Sequence, residues 1–229
     1  MGAARFGSTF YARMGIAMLF FALAGFGPYV MHRFENGVPT SPVLVLHGAV
    51  FFIWICAFIL QAHLVGAGNR ALHMRLGALS PVLAGVMLAT SILVTVETFH
   101  TYNNNIPMLS REHFIILPLM DGILFAAYYT LAFLNRRKAE AHKHFMLLAA
   151  VMIMDPAFGR LGGTLGNPLI GIALHFGLLA ALIVHDRGKL GRIHTITKVA
   201  VLVLALRYAA FFLVGPTESW AGFAIWLFG

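Results

Sequence analysis

Long apolar stretches separated by short polar segments run through the whole chain. A helix needs about 20 residues, at 1.5 Å each, to cross roughly 30 Å of hydrocarbon. The stretches that approach or reach this length are 14–31, 42–65, 76–98, 113–134, 144–162, 168–185 and 195–214. The pattern predicts an all-α polytopic membrane protein, with residues 1–229 forming one integral domain of seven transmembrane helices. We expect spans two to five to form its core.

The polar segments between these stretches are short, which is typical of connections between antiparallel neighbouring helices. A further apolar stretch at 219–228 is too short to cross the bilayer, and it contains Trp220 and Trp226. Tryptophan favours the boundary between lipid and water. We therefore predict that this stretch lies at the membrane interface.

Composition supports membrane residence, because 60% of the residues are hydrophobic and only 10% are charged. The net charge of +8 would by itself favour a nucleic-acid partner. However, alternate connections carry twelve Lys and Arg on one side and three on the other. That asymmetry is an orientation signal, which places the N-terminus in the cytoplasm and the C-terminus in the periplasm. The expected partner is the lipid bilayer, and no nucleic acid is expected.

Four polar residues fall near mid-depth when positions are counted from the nearer end of each span: Asp121, Asp155, His175 and Arg207. An unpaired charge at this depth costs upward of about 2.5 kcal/mol, so these groups should pair. We expect Arg207 to bridge Asp121, Asp155 or both. The sequence leaves two interpretations open: an ion pair that only fixes helix packing, or a catalytic group that conducts protons or substrate.

Histidines at matched depth offer candidate haem ligands. A haem held by two imidazoles needs histidines on two facing helices at one level. Near one face, His73 can pair with His142 or His144, and near the other face, His47 can pair with His113. These five residues are the candidate cofactor-binding set, with haem b as the cofactor.

A metal ion is an alternative cofactor. Glu97 and His100 are three residues apart, so they project from one face of a helix. Carboxylate-bridged di-iron bundles use such Glu-x-x-His pairs. Glu112, His113 and either His32 or His47 would complete a mononuclear site, although a di-iron bundle would need a second such motif.

Two signatures resemble a widespread, uncharacterised family of bacterial multi-span membrane proteins that contain histidines. The first comprises Leu46-His47-Gly48, Gln61 and the LHMRLG run from Leu72 to Gly77. The second is the AHKHFM run from Ala141 to Met146, which has His144 where a basic residue is usual. The resemblance covers about residues 40–165 and implies a multi-pass protein of the bacterial inner membrane, without naming a reaction.

The placement of histidines on alternate helices is similar in layout to the cytochrome b561 family of transmembrane electron carriers. That similarity implies two b-type haems, one near each face, held by His47 with His113 and by His73 with His142. The leading hypothesis is therefore electron transfer across the membrane by an oxidoreductase, with quinone as a candidate partner. The mid-depth residues would then handle protons.

Two other functions fit the same sequence. The first is a non-catalytic accessory or assembly subunit of a larger respiratory or photosynthetic complex, in which the polar groups serve packing and contact with other subunits. The second is a proton-coupled carrier of a small solute, built around Asp121, Asp155 and Arg207.

Overall fold

The computed structural model describes residues 2–101 and 110–229, with side chains from residue 9 onward. Within these ranges the chain is helical and contains no strand. The helices are α1 (Gly2–Glu35), α2 (Pro42–Gly66), α3 (Arg70–Gly77), α4 (Ser80–Thr101), α5 (Arg111–Leu134), α6 (Ala139–Met152), α7 (Asp155–Thr164), α8 (Leu169–Leu190), α9 (Thr195–Leu213) and α10 (Glu218–Phe228).

Six segments in the described part are long and apolar enough to cross a membrane: α1, α2, α3 with α4, α5, α8 and α9. The pair α6 and α7 passes the same test together, but it is bent by 43° at a short break. The all-α architecture is thus confirmed for the described residues, with six helices that could span a membrane, or seven when the bent pair counts as one span.

Two predicted spans are interrupted. The third, expected at 76–98, has a break between the end of α3 at Gly77 and the start of α4 at Ser80. The fifth, expected at 144–162, breaks between Met152 and Asp155. In each case the second residue after the break is a proline, Pro81 or Pro156, which has no N–H to continue the helical ladder but fits well in a first turn.

Contacts between helix ends show which ends lie together. The ring of Phe10, near the start of α1, stacks on His185, near the end of α8, with centroids 3.9 Å apart. Lys189 Nζ, also near the end of α8, lies 2.9 Å from Glu140 Oε1 at the start of α6. We call this the basic end of the bundle.

The opposite end of the bundle is joined in the same manner. Ser41, the N-cap of α2, donates from Oγ to Glu97 Oε2 in the last turns of α4, at 2.7 Å. Trp220 Nε1 of α10 donates to the Glu112 carbonyl oxygen in the first turn of α5, at 2.6 Å. Helices α2 and α4 therefore run in opposite directions, and α10 is fastened beside the start of α5.

The most buried part of the molecule is the broken fifth span, and its neighbours include spans one, six and seven, so the core is not confined to spans two to five as expected. Every residue of the stretch 147–152 in α6 is at most 1% exposed. Helix α6 packs on α1, α5 and α9, while α7 packs on α1 and α8. By contrast, α3 contains no buried residue. Hydropathy identifies a span but does not determine how many neighbours surround it.

Glycines allow α7 to lie against the backbones of both of its neighbours. A Cβ built on Gly25 of α1 would collide with the carbonyl oxygen of Ala157. A Cβ built on Gly171 of α8 would lie 2.8 Å from the carbonyl oxygen of Phe158. Small residues permit this kind of close approach between membrane helices. The position of α7, and of Asp155 at its start, depends on these two contacts.

We predict that Gly171→Ala destabilises the folded protein, because the added methyl group meets backbone that cannot rotate away. Overpacking of this kind costs about 1–3 kcal/mol. Thermal unfolding of the detergent-solubilised protein measures the effect as a lower Tm. The matched control is Gly177→Ala on the same helix, where an added Cβ meets nothing within 4 Å. Equal Tm values for the two variants would contradict the packing argument.

Candidate functional site

A fully buried arginine lies at the centre of the polar network in the bundle. Arg207 of α9 has no exposed side-chain surface. Its Nε donates to Asp121 Oδ1 of α5 at 2.7 Å, and its Nη2 donates to Asp121 Oδ2 at 2.8 Å. The same Nη2 lies 2.9 Å from Asp155 Oδ2 of α7. The prediction that Arg207 bridges the two acids is confirmed, and a single guanidinium thereby connects three helices.

A tyrosine and a histidine extend this network. The Tyr208 hydroxyl donates to Asp155 Oδ1 at 2.8 Å. His175 Nδ1, on α8, lies 3.0 Å from that hydroxyl and 3.7 Å from Asp155 Oδ1. His175 Nε2 lies 3.0 Å from the carbonyl oxygen of Val151 on α6. We call Asp121, Asp155, His175, Arg207 and Tyr208 the central cluster.

The break between α6 and α7 supplies the backbone acceptor of the central cluster. Within the break, Met154 N donates a short-range bond to Val151 O at 3.1 Å, in place of a regular helical bond. The same oxygen also accepts from His175 Nε2. A carbonyl has two lone pairs, so both donors can be satisfied. The interrupted helix thus fixes the His175 ring from its Nε2 edge.

A second buried cluster lies at the basic end. His144 Nε2 is 2.8 Å from Asp186 Oδ1, and both side chains are 1% exposed. The other oxygen, Asp186 Oδ2, accepts from Thr197 Oγ1 at 2.6 Å and from the His194 backbone N–H at 3.1 Å. His144 Nδ1 lies 2.7 Å from the carbonyl oxygen of Glu140. His144, one of the predicted haem ligands, therefore has both ring nitrogens engaged by protein groups.

His194 lies in the connection between α8 and α9, and its ring covers the second cluster. It stacks on His144 with centroids 4.5 Å apart. Burial, together with the adjacent His144, lowers the pKa of His194 below its ordinary value. The neutral form agrees with the hydrogen bonding, since Ile196 N donates to His194 Nδ1 at 3.1 Å and a protonated nitrogen cannot accept.

The histidines His73 and His142 are brought together as the sequence predicted. Their ring centroids are 6.4 Å apart and their planes cross at 83°. His142 Nδ1 lies 2.9 Å from the carbonyl oxygen of Ala132, and the side-chain amide of Gln61 contacts His73 Nδ1. Among the described residues, neither Nε2 atom has a hydrogen-bond partner. Both rings are thus held by their Nδ1 edges.

The second predicted haem pair is not brought together. No ring contact joins His47 and His113 in the part of the chain that the structure describes. His113 Nε2 lies 2.8 Å from the carbonyl oxygen of Phe211, and His47 packs against Phe51 with centroids 4.2 Å apart. Helix α4 packs against both α2 and α5. Matched depth does not bring two helices face to face when a third helix contacts both.

The predicted metal residues have other partners. Glu97 accepts a hydrogen bond from Ser41, and Glu112 pairs with Arg111 at 2.7 Å. The His100 ring is exposed. Across residues 9–101 and 110–229, no three His, Cys, Asp or Glu side chains lie close enough to share a metal ion. The described geometry therefore adds nothing in favour of a carboxylate-bridged metal centre.

Sequence reasoning missed Tyr208 and Asp186. Tyr208 follows Arg207 in an apolar span, where a tyrosine is normally interpreted as a packing residue. Asp186 lies beside the polar connection between α8 and α9, so it is normally interpreted as a solvent-exposed loop residue. The sequence did contain one signal for Tyr208, namely its position next to Arg207, a charged residue in the middle of a span.

Comparison of the chain with protein-family models, with curated proteins and with solved structures finds no match in any of the three.

We predict that Arg207→Gln strongly destabilises the fold, since it leaves two buried carboxyl groups without their counter-ion. Breaking a buried ion pair costs about 3–5 kcal/mol. Neutralising the acids as well, with Asp121→Asn and Asp155→Asn, should recover part of that loss. Thermal unfolding in nanodiscs compares the single and triple variants with Arg70→Gln, a change at an exposed residue. A single variant as stable as Arg70→Gln would refute the prediction.

Proposed function

We propose that the protein is a membrane redox protein that holds one b-type haem at the basic end, between His73 and His142. The observation that carries the proposal is the spacing of the two rings, 6.4 Å between centroids. Two imidazoles that share one metal ion, each with a metal–nitrogen bond of about 2.0 Å, have ring centres roughly 6 Å apart. The donor set therefore fits an iron with two axial histidines.

The hydrogen bond of the His142 ring supports this proposal. A ligating histidine usually donates its other ring N–H to a carbonyl, carboxylate or water, which fixes both the tautomer and the ring orientation. The carbonyl of Ala132 is such an acceptor for His142 Nδ1. For His73, the side-chain N–H₂ of Gln61 donates to Nδ1, so the proton of the neutral ring is on Nε2. Binding of a metal at His73 Nε2 therefore requires that proton to move to Nδ1 and the Gln61 amide to turn so that its oxygen accepts from Nδ1.

The face of α3 beside the pair is unobstructed. Gly77 lies one turn after His73, and a Cβ built there meets no atom within 4 Å. Haem would supply one-electron transfer at this end of the bundle. Because His47 and His113 are not adjacent, the proposal involves a single haem, and it does not require a second haem at the opposite end. Quinone dissolved in the bilayer is the candidate redox partner.

Absorption spectroscopy tests the proposal directly. Purified protein titrated with haemin should develop a Soret band and, after reduction, a band near the b-type position, at one haem per chain. His73→Ala and His142→Ala should each abolish tight binding, because each removes one of two axial ligands. The matched control is His63→Ala, a change at an exposed histidine, which should bind haemin as the wild type does. Binding that persists in both ligand variants would refute the proposal.

A second candidate function, a proton-coupled carrier, is favoured by a different observation. The central cluster places two acids and an arginine deep among the apolar helices, and intramembrane ionisable residues mark proton and solute pathways. In proteoliposomes with an internal pH-sensitive dye, an imposed pH gradient should drive proton entry. We expect Asp155→Asn to abolish this flux and Glu35→Gln, at an exposed position, to leave it unchanged. Identical fluxes in the two variants would eliminate the carrier.

A further inference from the structure

The hydrogen-bond partners of His175 show which of its ring nitrogens carry a hydrogen. His175 Nε2 lies 3.0 Å from the carbonyl oxygen of Val151. A carbonyl oxygen can only accept, so Nε2 must carry a hydrogen. The protonation of the other ring nitrogen, Nδ1, is then determined by the Tyr208 hydroxyl, 3.0 Å away.

That hydroxyl has one hydrogen and two neighbours that can receive it. When Tyr208 donates to Asp155 Oδ1, at 2.8 Å, its oxygen can only accept from His175, so Nδ1 must also be protonated. When Tyr208 donates instead to His175 Nδ1, the ring is neutral and Asp155 Oδ1 loses this donor. The two hydrogen-bond arrangements differ by one proton and by a rotation of one O–H group.

The charges of the central cluster favour the arrangement with the extra proton. Both oxygens of Asp121 accept from Arg207, and the oxygens of Asp155 face Tyr208 and Arg207, so each acid is placed to accept as a carboxylate. Arg207 and a doubly protonated His175 then balance these two negative charges, and the net charge is zero. With a neutral His175 the net charge is −1, which is costly in a buried, apolar setting. A charge-assisted hydrogen bond between the imidazolium and Tyr208 adds to the preference.

The electrostatic environment of His175 is set by groups from four neighbouring helices. Helix α6 contributes the Val151 carbonyl, α7 contributes Asp155 and the Phe158 ring at 5.6 Å, and α9 contributes Tyr208 with Arg207 behind it. Asp121 of α5 is reached through Arg207. Among the described residues, no other charged side chain contacts the ring.

We propose that the central cluster is a membrane-embedded binding site for a single proton, which adds to His175 Nδ1 while the Tyr208 hydroxyl turns towards Asp155. One N–H bond forms on proton uptake and the same bond breaks on release, and no other covalent bond changes. Tyr208 is the positioning residue, because its hydroxyl can face either partner. The site does not depend on haem at His73 and His142, since none of its residues contacts either histidine.

Nitrogen NMR of protein labelled with ¹⁵N-histidine, in nanodiscs at neutral pH, tests the site. The wild type should show a histidine with both ring nitrogens protonated, and this signal should be missing from His175→Gln. The variant distinguishes it from the signal of His144, whose contacts also call for two ring protons. A wild-type His175 with only one protonated nitrogen overturns the proposal, whatever the variants do.

Tyr208→Phe tests the role of the hydroxyl. Loss of a charge-assisted hydrogen bond should raise the ratio of singly to doubly protonated His175 by about tenfold or more. The matched control is Tyr128→Phe, because the Tyr128 hydroxyl is also buried and has no hydrogen-bond partner in the described part of the chain. Equal ratios in the two phenylalanine variants overturn the positioning role. If Tyr208→Phe fails to fold, Asp155→Asn supplies the second test, since removal of the balancing charge should also leave His175 singly protonated.

Discussion

The positive charge of a guanidinium with no solvent-exposed surface must be balanced by acids from other parts of the chain. The arrangement of the central helices depends on that requirement. Arg207 is bound by acids from two other helices, one of which begins at the break in the fifth span. The break is tolerated because its polar groups face partners instead of lipid, as irregular backbone at membrane depth requires. The glycines on α1 and α8 then let the short α7 approach closely enough to bring Asp155 within reach.

The two buried clusters use the same pair of helices at two levels. Helix α8 carries His175 in one cluster and Asp186 in the other, eleven residues or roughly 16 Å further along. Helix α9 likewise carries Thr197 and Arg207. Between the levels of His175 and Asp186, α8 is packed with leucines such as Leu179 and Leu182, which are at most 1% exposed. These two sets of polar contacts, separated by an apolar layer, fix both the rotation and the axial register of α8 and α9. Apolar contacts alone would allow the two helices to slide past each other.

Hydropathy and depth counting predicted the elements and some of the contacts. Helical spans follow from the cost of unpaired backbone groups in lipid, and Arg207 had to find acids at its own level because no other charge was within reach. His73 and His142 met because α3 and α6 both begin at the basic end. His47 and His113 share a depth but lie on helices that α4 contacts on either side. Depth fixes one coordinate of a residue, whereas the direction in which it faces depends on packing that no single span encodes.

The distance along the chain between Arg207 and its acids has a consequence for biosynthesis. Asp121 precedes Arg207 by 86 residues, so a ribosome completes α5 well before the compensating cation exists. In the interval, the carboxyl group enters the bilayer without its counter-ion, where its uncharged, protonated form is much the cheaper one. The central cluster is therefore completed late in synthesis, when α9 brings Arg207 to acids that α5 and α7 already carry.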